Sequence, residues 1–490
     1  MTIGRGIDRP GEISTGTGTR VSTTETAAAL PVGRVVRNAR IASIPVAFAG
    51  RRAIGYGKRA LGRSAAEVNR DIRSRTAQHI FEVLGELKGC ATKFGQLLAI
   101  YELALPSELA EPYRIALGGL QDSAPAMLPS TVREVLAEQL GRDWRTNFLE
   151  FDERRAAAAS IGQVHRAVWH DGREVAVKIM YPGARESVLG DLDQLRRMSA
   201  LLGVFVPGAD VAALTDSVRA GILRELDYAA EAASQRAFAD AYRDDPEFRV
   251  PDVVAQRGDV VISEWLDGTP VPHIIASGSQ AERDRVGMAM VRFVLDGCTR
   301  TDLLYCDPHP GNFRVLPDGR LGVVDFGACC RWPPAGFDGL ALDYCRAVFE
   351  GGPTDLEAAS RRHGFVTDDR SFDVDALFAA VLPCSEPLRH KTFQLTSPWL
   401  RRQVVRATRP RLSNVARQCT IPVPFTPFAR SSLTIIGALA QLGTEGAYRE
   451  EIVRSLPVLA EVFDRLDQQD PRPVDLAAAR ERRTRRITAS

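Results

Sequence analysis

The chain has 490 residues, 45% of them apolar and 25% charged, which is enough apolar material for full cores and about three domains by length alone. Sixty-three Lys and Arg against 61 Asp and Glu leave a formal charge of +2, arguing against a dedicated nucleic-acid binder. Forty Gly, 29 Pro and eight Cys exclude collagen-like and disulfide-scaffold classes.

In chain order, residues 1–30 are rich in Gly, Ser and Thr and read as a disordered tail. They lack the apolar core of a signal peptide. The longest apolar stretches, 41–50 and 433–442, fall far short of the ~20 residues that span a bilayer. The expectation is a chain that is not integral to a membrane. Residues 1–60 carry ten Lys and Arg against three acids, and residues 471–490 six against two. Such basic ends suit either plain solvation or peripheral contact with anionic lipid headgroups. The eight cysteines are scattered and form no Cys-x-x-Cys pair, so they read as reduced thiols of a cytoplasmic protein.

Residues 31–130 read as a helical extension, with Ile72, Ala77, Ile80, Val83, Leu84, Leu87 and Leu97 at helical spacing and Pro106 as a stop. From 131 to 330 the pattern is mixed. A strand over 161–168, a His170-Asp171-Gly172 turn and a return strand over 173–179 form one predicted hairpin. Helical periods follow over 184–202 and 211–243, then a strand over 260–265 and a helix over 280–297. A second hairpin pairs 313–316 with 321–324 around Pro317-Asp318-Gly319. Beyond about 340 the chain reads as mostly helical.

The chemistry gathers around the second hairpin. Asp307 stands five residues before Asn312, and Asp325-Phe326-Gly327 begins thirteen residues after that Asn. Phosphoryl transfer needs a carboxylate to orient the attacking oxygen and oxygen ligands for Mg²⁺ on the triphosphate. An Asp before a hairpin, an Asn opening it and an Asp closing it can converge on one such centre, as in protein-kinase-like folds. Upstream, Lys178 ends Val175-Ala176-Val177-Lys178 on the first return strand. A strand lysine is by itself usually a solvated edge residue, but here it precedes the Asp/Asn/Asp set and is placed to meet the α and β phosphates. Where kinases carry glycines over the phosphates, this chain has Ala156-Ala157-Ala158-Ala159-Ser160. Alanine resists φ > 0, so that loop cannot fold over nucleotide as a Gly-rich one does.

With these residues in view, the chain resembles the UbiB/AarF family of atypical kinases over about residues 88–332. Lys93-Phe94-Gly95-Gln96, the alanine run into Ile161-Gly162-Gln163-Val164-His165, Glu225-Leu226-Asp227, Glu231, Asp307 to Asn312 and Asp325-Phe326-Gly327 carry the resemblance. It implies an α+β, bilobal protein-kinase-like fold. A small β-containing N-lobe (131–267) and a mainly helical C-lobe (from 268) would make up a kinase domain over 131–370. A helical extension (31–130) and a helical, basic-ended C-terminal region (371–490) would flank it. ATP and Mg²⁺ are the implied cofactors. The roles implied are Lys178 on phosphates and paired with Glu231, Asp307 catalytic, Asn312 and Asp325 on Mg²⁺, and Ala157, Ala158, Ala159 and Ser160 beside the nucleotide. Glu264 and Trp265 would form the hinge that receives adenine. Lys93 and Gln96 would reach the site, with Lys93 held near Glu225 and Asp227 on the helix of Glu231. The expected activity is slow ATP hydrolysis or phosphorylation of a small molecule, in support of isoprenoid-quinone or other lipid metabolism. A silent nucleotide-binding scaffold and an aminoglycoside-phosphotransferase-type kinase are the alternatives.

Overall fold

In the computed structural model the described residues are 126–159, 161–186, 188–190, 223–224, 226–366, 373–407, 419 and 421–469. Lys93, Gln96, Ser160, Glu225 and the basic ends lie outside them.

The described chain opens with helix α1 (Pro129–Leu140) and then strands β1 (Phe148–Phe151), β2 (Ala157–Ala159), β3 (Gly162–Trp169) and β4 (Glu174–Met180). Helix α2 (Tyr228–Ala241) leads to β5 (Phe248–Arg249), β6 (Val253–Arg257) and β7 (Val260–Glu264). The small-lobe sheet runs β1-β3-β4-β7-β6, with β2 added against β3. The predicted first hairpin is present as β3–β4, turned by Gly172 at φ 92°, a backbone that favours glycine. Alternation along β4 sends Val175, Val177 and Ile179 into a core with α1 residues Val132, Val135 and Leu136. Ala176 and Lys178 therefore face the other side of the sheet. Gly162 matters at the start of β3: a Cβ there would lie 2.2 Å from the Ile179 carbonyl oxygen, so only glycine lets these strands begin so close.

The large lobe takes up β8 (Thr269–Pro270), α3 (Val271–Ser277) and the long α4 (Gln280–Thr301). Next come β9 (Leu303–Tyr305), β10 (Phe313–Val315), β11 (Leu321–Val323) and β12 (Cys329–Arg331), followed by helices including α5 (Phe337–Phe349). A later helix, α6 (Thr426–Leu442), returns to the same core. That core surrounds α4 with Phe238, Tyr242, Phe248, Phe293, Tyr305, Phe313 and Phe326, all buried, and edge-to-face pairs such as Phe293–Tyr305 at 5.6 Å recur within it. The α+β, two-lobed arrangement agrees with the expectation. Among the described residues no helix is long and apolar enough to cross a membrane.

One expected helix is divided. The 211–243 period predicts a single element carrying both Asp227 and Glu231, yet the chain leaves helical geometry at Leu226 and Asp227. The Asp227 carboxylate accepts the Ala230 N–H at 3.0 Å and so caps the start of α2. Leu226 is buried beside the capped end. Glu231 consequently sits in the first turn of α2, not two turns along a longer helix.

Candidate active site

Lys178 projects from β4, and its Nζ donates to Glu231 Oε1 at 2.6 Å. Asp325 Oδ1 lies 3.6 Å from the same nitrogen. The side chains are 16% exposed for Lys178, 3% for Glu231 and 36% for Asp325, so the pair is closed and Asp325 opens to solvent. Nζ also lies 5.2 Å from the centre of the Tyr228 ring. Burial works against the lysine's charge, but Asp325 and Glu231 outweigh it and hold the ammonium well above its ordinary range.

The second hairpin explains why Asn312 and Asp325, thirteen residues apart, lie together. In β10–β11 Phe313 faces Val323 and Val315 faces Leu321, and the Val324 N–H donates to the Asn312 carbonyl at 2.9 Å. The residues just before β10 and just after β11 are thereby neighbours. The Asn312 amide donates through Nδ2 to the Asp307 carbonyl at 3.0 Å, which directs the amide nitrogen inward and leaves Oδ1 as the end of opposite character. Its N–H donates to His309 O at 2.9 Å. His309 Nδ1 accepts the Gly311 N–H at 3.1 Å, so this ring braces the loop in its neutral form. Asp307 itself is only 8% exposed.

Asp325 is held at φ 66°, a left-handed conformation that a residue with a Cβ adopts at a cost. Three contacts sustain it. The Gly327 N–H donates to Asp325 Oδ1 at 3.2 Å. The buried Tyr305 hydroxyl lies 3.0 Å from both the Val324 and Asp325 carbonyls and donates between them. Phe326 packs under α2 against Phe238 at 5.1 Å and against Tyr305 at 5.5 Å, so the helix carrying Glu231 and the segment carrying Asp325 share one ring cluster. Burial raises the Cys329 thiol well above its ordinary range, and Asp325, Glu231 and Asp307 all add to that shift.

The remaining expected residues divide. Ala157, Ala158 and Ala159 form β2, paired with Val164, Gln163 and Gly162, so the alanine run is extended strand. Glu264 ends β7 and Trp265 follows it, but the Glu264 N–H donates to Asp252 O at 3.0 Å and the Trp265 N–H to Glu174 O at 2.9 Å. Both N–H groups are therefore already paired. The Glu264 carboxylate is likewise taken by Arg249, at 2.6 Å. Asp227 acts as the helix cap described above.

Sequence reasoning missed two groups. Tyr305 carries no motif signal beyond standing two residues before Asp307. Gln163 and His165 alternate on β3, and both are buried. Gln163 Oε1 accepts the Met127 N–H at 2.9 Å, its Nε2 is 2.8 Å from His165 Nε2, and His165 Nδ1 is 2.9 Å from Asp152 O. The chain of donors closes only with a proton on Nδ1 and none on Nε2. Burial, the largest influence, lowers the affinity of that ring for a second proton. This network ties the segment before α1 to the small-lobe sheet.

A family model for the ABC1 atypical kinase-like domain matches residues 119–348, which include Lys178, Glu231, Asp307, Asn312 and Asp325. The atypical kinase coq-8 of Caenorhabditis elegans, a mitochondrial protein, is 29% identical over 69% of this chain and 45% of its own length. The mitochondrial atypical kinase COQ8 of Saccharomyces cerevisiae is 31% identical over 62% of this chain and 60% of its own. The chain thus spans between about half and three-fifths of the length of these relatives. Among solved structures, Rv3197 of Mycobacterium tuberculosis, determined in complex with erythromycin, superposes with a TM-score of 0.58 at 38% identity. The match covers 81% of this chain and all of that one.

Proposed function

The chain belongs to the ABC1 atypical kinase-like family, and from that premise we propose that it binds ATP with Mg²⁺ and transfers or hydrolyses the terminal phosphoryl group. The observation that carries this reading is the meeting of Lys178 from the small lobe with Glu231 and with Asp325 from the large lobe, at 2.6 and 3.6 Å. A strand lysine paired with a helix carboxylate is a fixed cation, suited to phosphate oxygens. Asp325 and the Asn312 amide would supply hard oxygen donors from the two ends of one hairpin, the type of donor that Mg²⁺ takes. When bound, the ion would neutralise charge on the phosphates.

In this reading Lys178 holds the phosphates, Glu231 fixes the lysine, and Asp307 orients the attacking oxygen and accepts its proton. Asn312 would offer its amide oxygen to the metal, while its Nδ2 pins the Asp307 backbone. The extended alanine strand β2 lies beside the nucleotide without the close cover that glycines allow. Adenine contact at the end of β7 falls to carbonyls, since the Glu264 and Trp265 N–H groups are spent. The acceptor we propose is water or a small lipid-related molecule such as an isoprenoid-quinone precursor, in line with the names of the relatives. The protein would act in the cytoplasm at an anionic membrane face reached by its basic ends.

ATP turnover by the full chain with Mg²⁺, measured beside Asp325→Asn, tests the assignment. The variant should lose on the order of 10²-fold or more in rate. Equal rates would leave only a nucleotide-binding scaffold.

A further inference from the structure

Cys306 immediately precedes Asp307, and Cys330 follows Gly327 by three residues. Strands β9 and β12 pair antiparallel, with Tyr305 opposite Cys329 and Leu304 opposite Cys330, and the Cys306 N–H donates to Ala328 O at 3.0 Å. That register makes Cys306 and Cys330 diagonal neighbours on one face, and their sulfurs lie 3.4 Å apart. The adjacent Cys329 points to the other face of the strand. Cys306 is buried, whereas Cys330 is only partly so.

We propose that Cys306 and Cys330 are a peroxide-oxidisable thiol pair whose disulfide disables the neighbouring Asp307. The partly exposed Cys330 meets the oxidant and the buried Cys306 resolves it. In the first step the Cys330 sulfur attacks one oxygen of hydrogen peroxide. The O–O bond breaks, one water leaves, and Cys330 becomes a sulfenic acid. In the second step the Cys306 sulfur attacks the Cys330 sulfur, the S–O bond breaks, and the oxygen leaves as a second water with the Cys306 proton. Two thiols lose two electrons, and one peroxide is reduced to two waters. The two thiols lie within hydrogen-bond distance, and either can be the donor; the contact with Cys306 lowers the affinity of Cys330 for its proton, which favours the thiolate that must attack.

The linkage has a mechanical consequence. A disulfide requires the sulfurs to close from 3.4 Å to about 2.05 Å. One side of that movement is borne by the residue bonded to Asp307, and the other by the strand that continues from Asp325-Phe326-Gly327. A displacement of about 1 Å at a catalytic group can cost ~10²-fold in rate. The effect on turnover rests on the function proposed above; the formation of the bond does not.

The test treats the reduced full chain with one equivalent of hydrogen peroxide. Linked peptides are then mapped without reductant, and ATP turnover and the rise in Tm with MgATP are followed before oxidation, after it, and after dithiothreitol. The expected result is a Cys306 peptide joined to the peptide containing Cys329 and Cys330. Turnover should fall at least tenfold and recover on reduction. Cys329→Ser keeps the link, whereas Cys330→Ser and, independently, Cys306→Ala lose it and turn over at the same rate with or without peroxide. Absence of the link, its survival in Cys330→Ser, or a linked protein as active as the reduced one would overturn the proposal. A reduced chain that never turns over would overturn the function above instead. The link and the MgATP-dependent Tm would then still decide whether this pair disturbs the site.

Discussion

Lys178 and Asp325 face each other across 3.6 Å, yet the two lobes present them by opposite means. On the small-lobe side, Lys178 sits within a regular β4, bonded in register to β3 and β7, and its charge is met by the buried Glu231. On the large-lobe side, Asp325 stands outside any strand at φ 66°, half open to solvent and kept there by Tyr305, Phe326 and Gly327. The first half is an ordinary sheet that happens to carry a cation. The second is a strained turn that the aromatic core holds in place. A lysine answered by a buried carboxylate needs only its place in the sheet, whereas a carboxylate that opens to solvent stands where the core cannot close over it.

The sharpest way to break this contrast is on the small-lobe side. Lys178→Met leaves Glu231 buried without its cation, and losing one partner of a buried pair costs about 3–5 kcal/mol. Urea denaturation should show that loss, and Lys178→Met with Glu231→Leu should recover part of it. If Lys178→Met unfolds at the wild-type midpoint, the pair does not hold the lobe. On the other side, Tyr305→Phe keeps the ring packing and removes the hydroxyl between Val324 O and Asp325 O. Stability should fall by about 1 kcal/mol, while the Mg²⁺ concentration needed for half-maximal turnover should rise severalfold. An unchanged Mg²⁺ dependence would mean that Asp325 holds its conformation without the tyrosine. The smallest effect is expected at Ala158→Gly, an exposed position in β2. A glycine there loosens the strand by roughly 0.5–1 kcal/mol and should tighten ATP binding by making the segment pliable. Unchanged or weaker binding would place β2 away from the nucleotide.

Both hairpins could be read in advance because their information is local. Asp171-Gly172 and Asp318-Gly319 are turn dipeptides between alternating runs, and in the structure Gly172 and Gly319 both have positive φ. The closeness of Asn312 and Asp325 in the fold follows from the second hairpin. The capping role of Asp227 could not be read in advance. A carboxylate in the middle of the 211–243 period reads equally well as helix face or as the cap of a new helix, and the structure shows the cap, with Leu226 buried beside it.

What the linear order settled by itself was the inventory and the local turns: a lysine on a strand, an Asp/Asn/Asp set around a hairpin, alanines where glycines would bend. These depend on φ preferences and on periods of two or 3.6 residues, which act within a few positions. Tertiary structure alone decided which partners those groups meet. Glu231 is 53 residues from Lys178, the Tyr305 hydroxyl is aimed by an aromatic core assembled from several elements, and the N–H groups of Glu264 and Trp265 are spent on Asp252 and on β4. Contacts of that range are fixed by burial and by the satisfaction of every inward polar group at once, conditions that no stretch of sequence can state alone.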